Sequence, residues 1–163
     1  MEKGKIKITD NTTVVVRSCF SGKLFYKNLK TGDETEWSRI GDEQELSVGD
    51  LKSMRSTQSS FFKNQWIRIV CAYDDDGNEI PAIDVINHLR VQQYYQNFID
   101  PSDTSAVCGW SIKEIEENVP LLNESARENL MVALNDYIES GSLDSLTRIR
   151  AFEKALECKL GEQ

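Results

Sequence analysis

The chain has 163 residues, 39% of them hydrophobic and 28% charged, which suits one compact domain or two small adjoining ones. Its formal charge of −8 repels phosphate backbones and disfavours bulk nucleic-acid binding. No apolar run approaches the roughly 20 residues of a membrane span, and Met1-Glu2-Lys3-Gly4-Lys5-Ile6 lacks the apolar core of a secretory leader, so a soluble chain folded in the cytoplasm with nothing cleaved is expected.

Up to about residue 79 the apolar pattern has the period of strands. Ile6 with Ile8, Val14 to Val16, and Leu24 with Tyr26 predict short half-buried strands. Thr9-Asp10-Asn11-Thr12 supplies a turn between the first two. In Asn28-Leu29-Lys30-Thr31-Gly32-Asp33, Gly32 tolerates positive φ, so 23–27 and 34–39 are expected as antiparallel partners. Lys23, Phe25 and Lys27 then face one way and Leu24 and Tyr26 the other, and Trp37 is the large residue around which a small β core forms. Ser47 followed by Asp50 is an imperfect capping box, predicting a short helix over 48–55 that lays Val48, Leu51 and Met54 on the sheet. Phe61, Phe62 and Trp66 precede a strand of Ile67, Ile69 and Cys71, which ends at Asp74-Asp75-Asp76-Gly77-Asn78. Three adjacent aspartates lack the alternating spacing and closing glutamate of a calcium loop, so this stretch reads as a solvated turn.

From Pro81 the period is helical. Ile83, Ile86 and Leu89 predict one helix, and 91–99, with Tyr94, Tyr95 and Phe98, a second that covers an edge of the β unit. The polar run Asp100-Pro101-Ser102-Asp103-Thr104-Ser105 has the composition of a linker or hinge, here placed at 101–110. Ser111 with Glu114 is a capping box for a short helix stopped before Pro120. A longer helix follows, capped by Asn123 or Ser125, striped with Ala126, Leu130, Ala133 or Leu134, Tyr137 and Ile138, and closed at Gly141. Asp144 is expected to cap the last helix, with Leu146, Ile149, Phe152, Leu156 and Leu160 facing inward. The fold expected is therefore α+β: a β-rich, barrel- or sandwich-like unit over 1–79 with a short helix, connecting helices over 80–100, a linker over 101–110 and a unit of about three helices over 111–163.

Cys19, Cys71, Cys108 and Cys158 are widely separated, no Cys-x-x-Cys pair occurs and His88 is the single histidine, so reduced packing thiols are expected and no metal or other cofactor. A nucleophile needs an adjacent base, and neither a Gly-x-Ser-x-Gly elbow nor a glycine-rich phosphate loop is present, so no catalytic residue is assigned. The C-terminal helices admit a DNA-binding or regulatory adaptor in which Arg148, Arg150 and Lys154 touch phosphates, but Glu153 and Glu157 share that helix and Glu114, Glu116 and Glu117 belong to the same helical unit. A β unit this small seldom hides every aromatic side chain it carries, so the residues assigned to partner binding are Trp37, Phe61, Phe62 and Trp66.

The succession Gly22-Lys23-Leu24-Phe25-Tyr26, Thr31-Gly32, Trp37, Gly41-Asp42-Glu43-Gln44, Phe61-Phe62 and Trp66-Ile67 resembles an uncharacterised family of virion structural proteins in tailed bacteriophages. The segment from Tyr137 through Gly141 to Ser145, with Ile149 and Phe152-Glu153-Lys154-Ala155-Leu156, is similar to the closing helical part of the same kind of protein. The resemblance covers most of the chain, is weakest between Asp74 and Trp110, and rests on packing and turn residues. It implies a non-enzymatic subunit repeated in a symmetric particle (capsid, neck, tail or baseplate), with other virion proteins and further copies of itself as partners; the lack of an apolar span leaves no membrane among the expected partners, and the negative charge disfavours nucleic acid. The chain is then expected in the virion, after folding in the bacterial host's cytoplasm.

Overall fold

The computed structural model describes residues 7–95 and 98–161, and the protein is α+β. Strands β1 (Thr13–Ser18), β4 (Glu43–Ser47), β5 (Ile67–Tyr73) and β6 (Glu79–Pro81) form one antiparallel sheet in the order β4-β1-β5-β6. Strands β2 (Leu24–Lys27) and β3 (Glu34–Trp37) form a separate hairpin. The hairpin turn is fixed at Gly32, whose φ is 81°. Asn28 helps by accepting from the Lys30 and Thr31 amides through Oδ1. Leu24 and Tyr26 are buried while Phe25 and Lys27 are exposed, the alternation that a one-sided strand requires.

Helix α1 (Val48–Thr57) starts on the expected capping box: Ser47 Oγ accepts from the Asp50 amide at 3.0 Å and the Asp50 carboxylate accepts from the Ser47 amide at 3.2 Å. The same carboxylate accepts from Asn28 Nδ2 at 2.7 Å, so one residue caps the helix and pins the hairpin to it. Val48, Leu51 and Met54 go into the core, followed by Phe61 and Phe62 on the single turn α2 (Ser60–Lys63). Inward side chains Val14, Val16, Leu46, Ile67, Ile69 and Ile80 complete the first core from the sheet.

Helix α3 (Ala82–Leu89) also joins that core, with Ile86 and Leu89 on the core side as expected but Ile83 turned outward. Val85 and Leu89 are buried, whereas Ile83 is 58% exposed. The sequence offers two apolar stripes, and the one containing Ala82, Val85 and Leu89 lies on β5. The helix expected over 91–99 is a single 3-10 turn at Gln92–Tyr94, Gln96 and Asn97 lying outside the described residues. Arg90 turns left-handed at φ 59° and the Arg55 guanidinium donates to the Leu89 carbonyl, which ends the helix and brings Val91 into the core. The strand expected at Ile6 and Ile8 has Ile6 outside the described residues, and Ile8 packs on the core without strand pairing.

The C-terminal part holds α4 (Thr104–Gly109), α5 (Ile112–Asn118), α6 (Glu124–Ser140) and α7 (Leu146–Leu156) around a second core that includes Val107, Ile115, Leu130, Leu134 and Phe152. Ser111 and Glu114 form the capping box of α5, Asn123 caps α6, and Gly141 closes α6 with φ 84°. Helix α7 is capped by Ser145 rather than Asp144. Leu146 is 59% exposed instead of buried, because at the first turn it precedes the inward stripe of Phe152 and Leu156. The polar stretch at 101–110, expected as a linker, contains α4 and sends Val107 into the second core with no exposure.

Candidate functional site

Strand and turn placement decides which aromatic side chains reach the surface, and three of the four assigned to partner binding do not. Trp37 has no exposed surface and its indole N–H donates to the Val16 carbonyl at 3.0 Å. Phe62 is fully buried and Phe61 is 5% exposed. The assignment of Trp37, Phe61 and Phe62 as surface anchors is therefore corrected: the hairpin, α1 and the large sheet close over them. Phe61 meets Tyr26 and Trp66 edge-on, with ring centroids 5.6 and 5.4 Å apart, and Trp66 meets Phe20 in the same way at 5.6 Å. Trp66 is half-buried, and its indole N–H donates to Ser125 Oγ on α6 at 2.9 Å, so it faces the other unit of the same chain.

Trp66 belongs to a polar seam between the two cores. Asn129 Oδ1 accepts from the Ser21 amide at 3.0 Å and Asn123 Nδ2 donates to the Lys63 carbonyl at 3.1 Å. Farther along α6, the Tyr137 hydroxyl donates to the Pro101 carbonyl. Next to Pro101 stands Asp100, only 7% exposed, whose Oδ2 accepts from Arg17 on β1 at 3.0 Å and Arg68 on β5 at 2.7 Å. Its Oδ1 accepts from the Ser102 amide and hydroxyl and from the Cys19 thiol. Burial works against this charge, but the Ser102 hydroxyl, Arg68, the Ser102 amide and Arg17 together hold the carboxyl below the usual carboxylate range. The Cys19 thiol is pushed well up, chiefly by its own burial and then by the Asp100 charge. This seam begins at Asp100, beside the stretch 101–110 whose composition suggests a hinge.

The surface carries other apolar side chains that sequence reasoning passed over. Phe25 is 50% and Leu29 66% exposed on the β2–β3 hairpin, Tyr73 is 38% exposed on the large sheet, and Leu146 opens α7. For Phe25 the signal was present, since strand alternation placed it outward with Lys23 and Lys27. Register puts Val15, Cys71 and Tyr73 on the outer face of the sheet, with Glu45 opposite Val15 and Glu79 opposite Tyr73. Val15, Glu43, Gln44, Glu45 and Tyr73 line a hollow of about 470 Å³ there. Glu43 is engaged by Arg17 through two bonds of 2.8 and 2.9 Å. On α7, Glu153 accepts from the Leu160 amide, while Arg150 and Lys154 are exposed.

His88 is exposed on α3 and makes no side-chain hydrogen bond among the described residues. The four cysteines are free thiols, and among the described residues no three histidine, cysteine or acidic side chains converge as metal ligands. No described helix is long and apolar enough to cross a membrane. No family model, curated protein or solved structure matches the chain.

Proposed function

We propose that this chain is a non-enzymatic structural or adaptor subunit of a tailed-phage virion, joining neighbouring virion proteins, and further copies of itself, in a symmetric assembly. The observation that carries the reading is the seam: two small cores, each with its own exposed apolar side chains, are tied into one body by α6 and by the Asp100 ion pairs. Such a body presents Phe25 and Leu29 from one unit and Leu146 from the other at a fixed spacing, as a connecting subunit needs. The sequence likeness supports the same reading, because Leu24, Tyr26, Gly32, Trp37, Phe61 and Phe62, which carry it, are the residues that shape the β unit.

Mass spectrometry of density-banded particles from a phage carrying this coding sequence tests it. Recovery of the chain at a fixed copy number, resistant to nuclease and to salt washing, is expected. Its absence from banded particles while it accumulates in infected cells overturns the reading. The DNA-adaptor alternative draws on the exposed Arg150 and Lys154, and it predicts retention on a DNA column that falls steeply with salt.

A further inference from the structure

The inner face of the large sheet is covered by α1, α2 and α3, and the Asp100 segment covers the outer face at Arg17 and Arg68, whereas Val15, Cys71 and Tyr73 farther along that face belong to neither core among the described residues. That face combines a shallow apolar strip, Val15, Cys71 and Tyr73, with Glu45 and Glu79 at its sides. Among the described residues neither glutamate has an ion pair or a side-chain hydrogen bond. Both act on Tyr73, whose phenol is raised first by the neighbouring Cys71 and then by the charges of Glu79 and Glu45. On the other unit, Leu146, Arg150 and Lys154 recur every four residues and so share one stripe of α7. All three are exposed and the two cations are likewise unpaired, with Glu157 following at the left-handed cap. One surface thus offers an apolar strip with two free carboxylates, and the other an apolar side chain with two free cations.

From this complementarity we infer that copies of the chain join head to tail, the outer sheet face of one copy receiving the Leu146–Arg150–Lys154 stripe of the next. The inference rests on the reading of the chain as a repeated subunit and names the surfaces that repeat. A second copy is the occupant because it carries the matching charge and apolar side chain, and because two different patches on one chain generate a ring or a helical array. Duplex DNA fits α7 alone and leaves the acidic sheet face without a role.

Two variants reverse the charges, Glu45→Lys with Glu79→Lys on the sheet, and Arg150→Glu with Lys154→Glu on the helix. All four side chains are exposed, and circular dichroism checks that each variant is folded. Sedimentation velocity of the full chain at low salt follows association as concentration rises. The unaltered chain is expected to associate and to dissociate in high salt, each variant alone to associate about tenfold more weakly or worse, and an equimolar mixture of the two to recover. Recovery arises because each variant then supplies the surface that the other now requires. A monomeric unaltered chain at every concentration, variants that associate normally, or a mixture that stays dissociated each overturns the inference. So does binding of a duplex DNA probe by the unaltered chain that the helix variant abolishes and the sheet variant leaves intact. Finding the chain in banded particles without self-association removes these surfaces and leaves the virion reading standing, whereas charge-swap recovery by a chain missing from particles does the reverse.

Discussion

At Asp100 a carboxylate almost closed to water receives two guanidinium groups and two bonds from Ser102. Its partners come from β1 and β5, 83 and 32 residues earlier in the chain, so the bonds exist only when both cores are in place. The folded-state carboxyl titrates below its ordinary value of 3.8. Its contribution to stability is therefore complete above about pH 4 and is lost as pH falls through the lower folded value. Asp100→Asn should cost about 2–3 kcal/mol at neutral pH in urea denaturation and flatten the loss of stability between pH 4 and 2. An acid-unfolding profile identical to that of the unaltered chain counts against this account. The aromatic residues give a second test at this scale. Trp37→Ala and Phe62→Ala should each cost about 3–5 kcal/mol, because both empty fully enclosed sites, whereas Phe25→Ala should stay within about 0.5 kcal/mol. Denaturation followed by circular dichroism separates the two classes.

Among the elements, those written by local chemistry were the legible ones. The capping boxes at Ser47 and Ser111, the Gly32 turn, the alternation of β2 and the Gly141 stop each depend on residues within a few positions of one another. The elements read differently depend on distant partners. Ile83 and Val85 are equally apolar, and only the position of β5 decides which is covered. Asp100-Pro101-Ser102 has the composition of a linker, and its burial follows from Arg17, Arg68 and Tyr137. The assignment of Trp37, Phe61 and Phe62 to the surface rests on the expectation that so small a β unit seldom hides every aromatic side chain it carries. The helices α1 to α3 enlarge that core beyond what the strands alone enclose. At this scale the α1 cap yields a graded expectation. Ser47→Ala should cost about 1 kcal/mol, and Asp50→Ala about 2 kcal/mol, because Asp50 also holds the hairpin through Asn28. Equal costs in a chemical denaturation series would remove the hairpin's part in the argument.

Taken whole, the molecule has two apolar cores and one seam, so its cooperativity is a property of the seam. Differential scanning calorimetry of the full chain should give one transition, and Trp66→Phe combined with Arg68→Met should broaden or split it by removing two donors that cross the seam. A split transition in the unaltered chain would show the cores melting independently. The layout of α6 has a mechanical consequence. Its 17 residues extend about 25 Å, and it is fastened to the first unit from its cap through its second turn, at Lys63, Trp66 and Ser21. A pull that slides one unit along that axis loads all these fastenings in parallel, as rivets along a lap joint share a shear, whereas a peeling pull takes them one after another. Stretched between handles on the two units, the chain should rupture in a single step at high force when sheared, and in smaller successive steps when peeled.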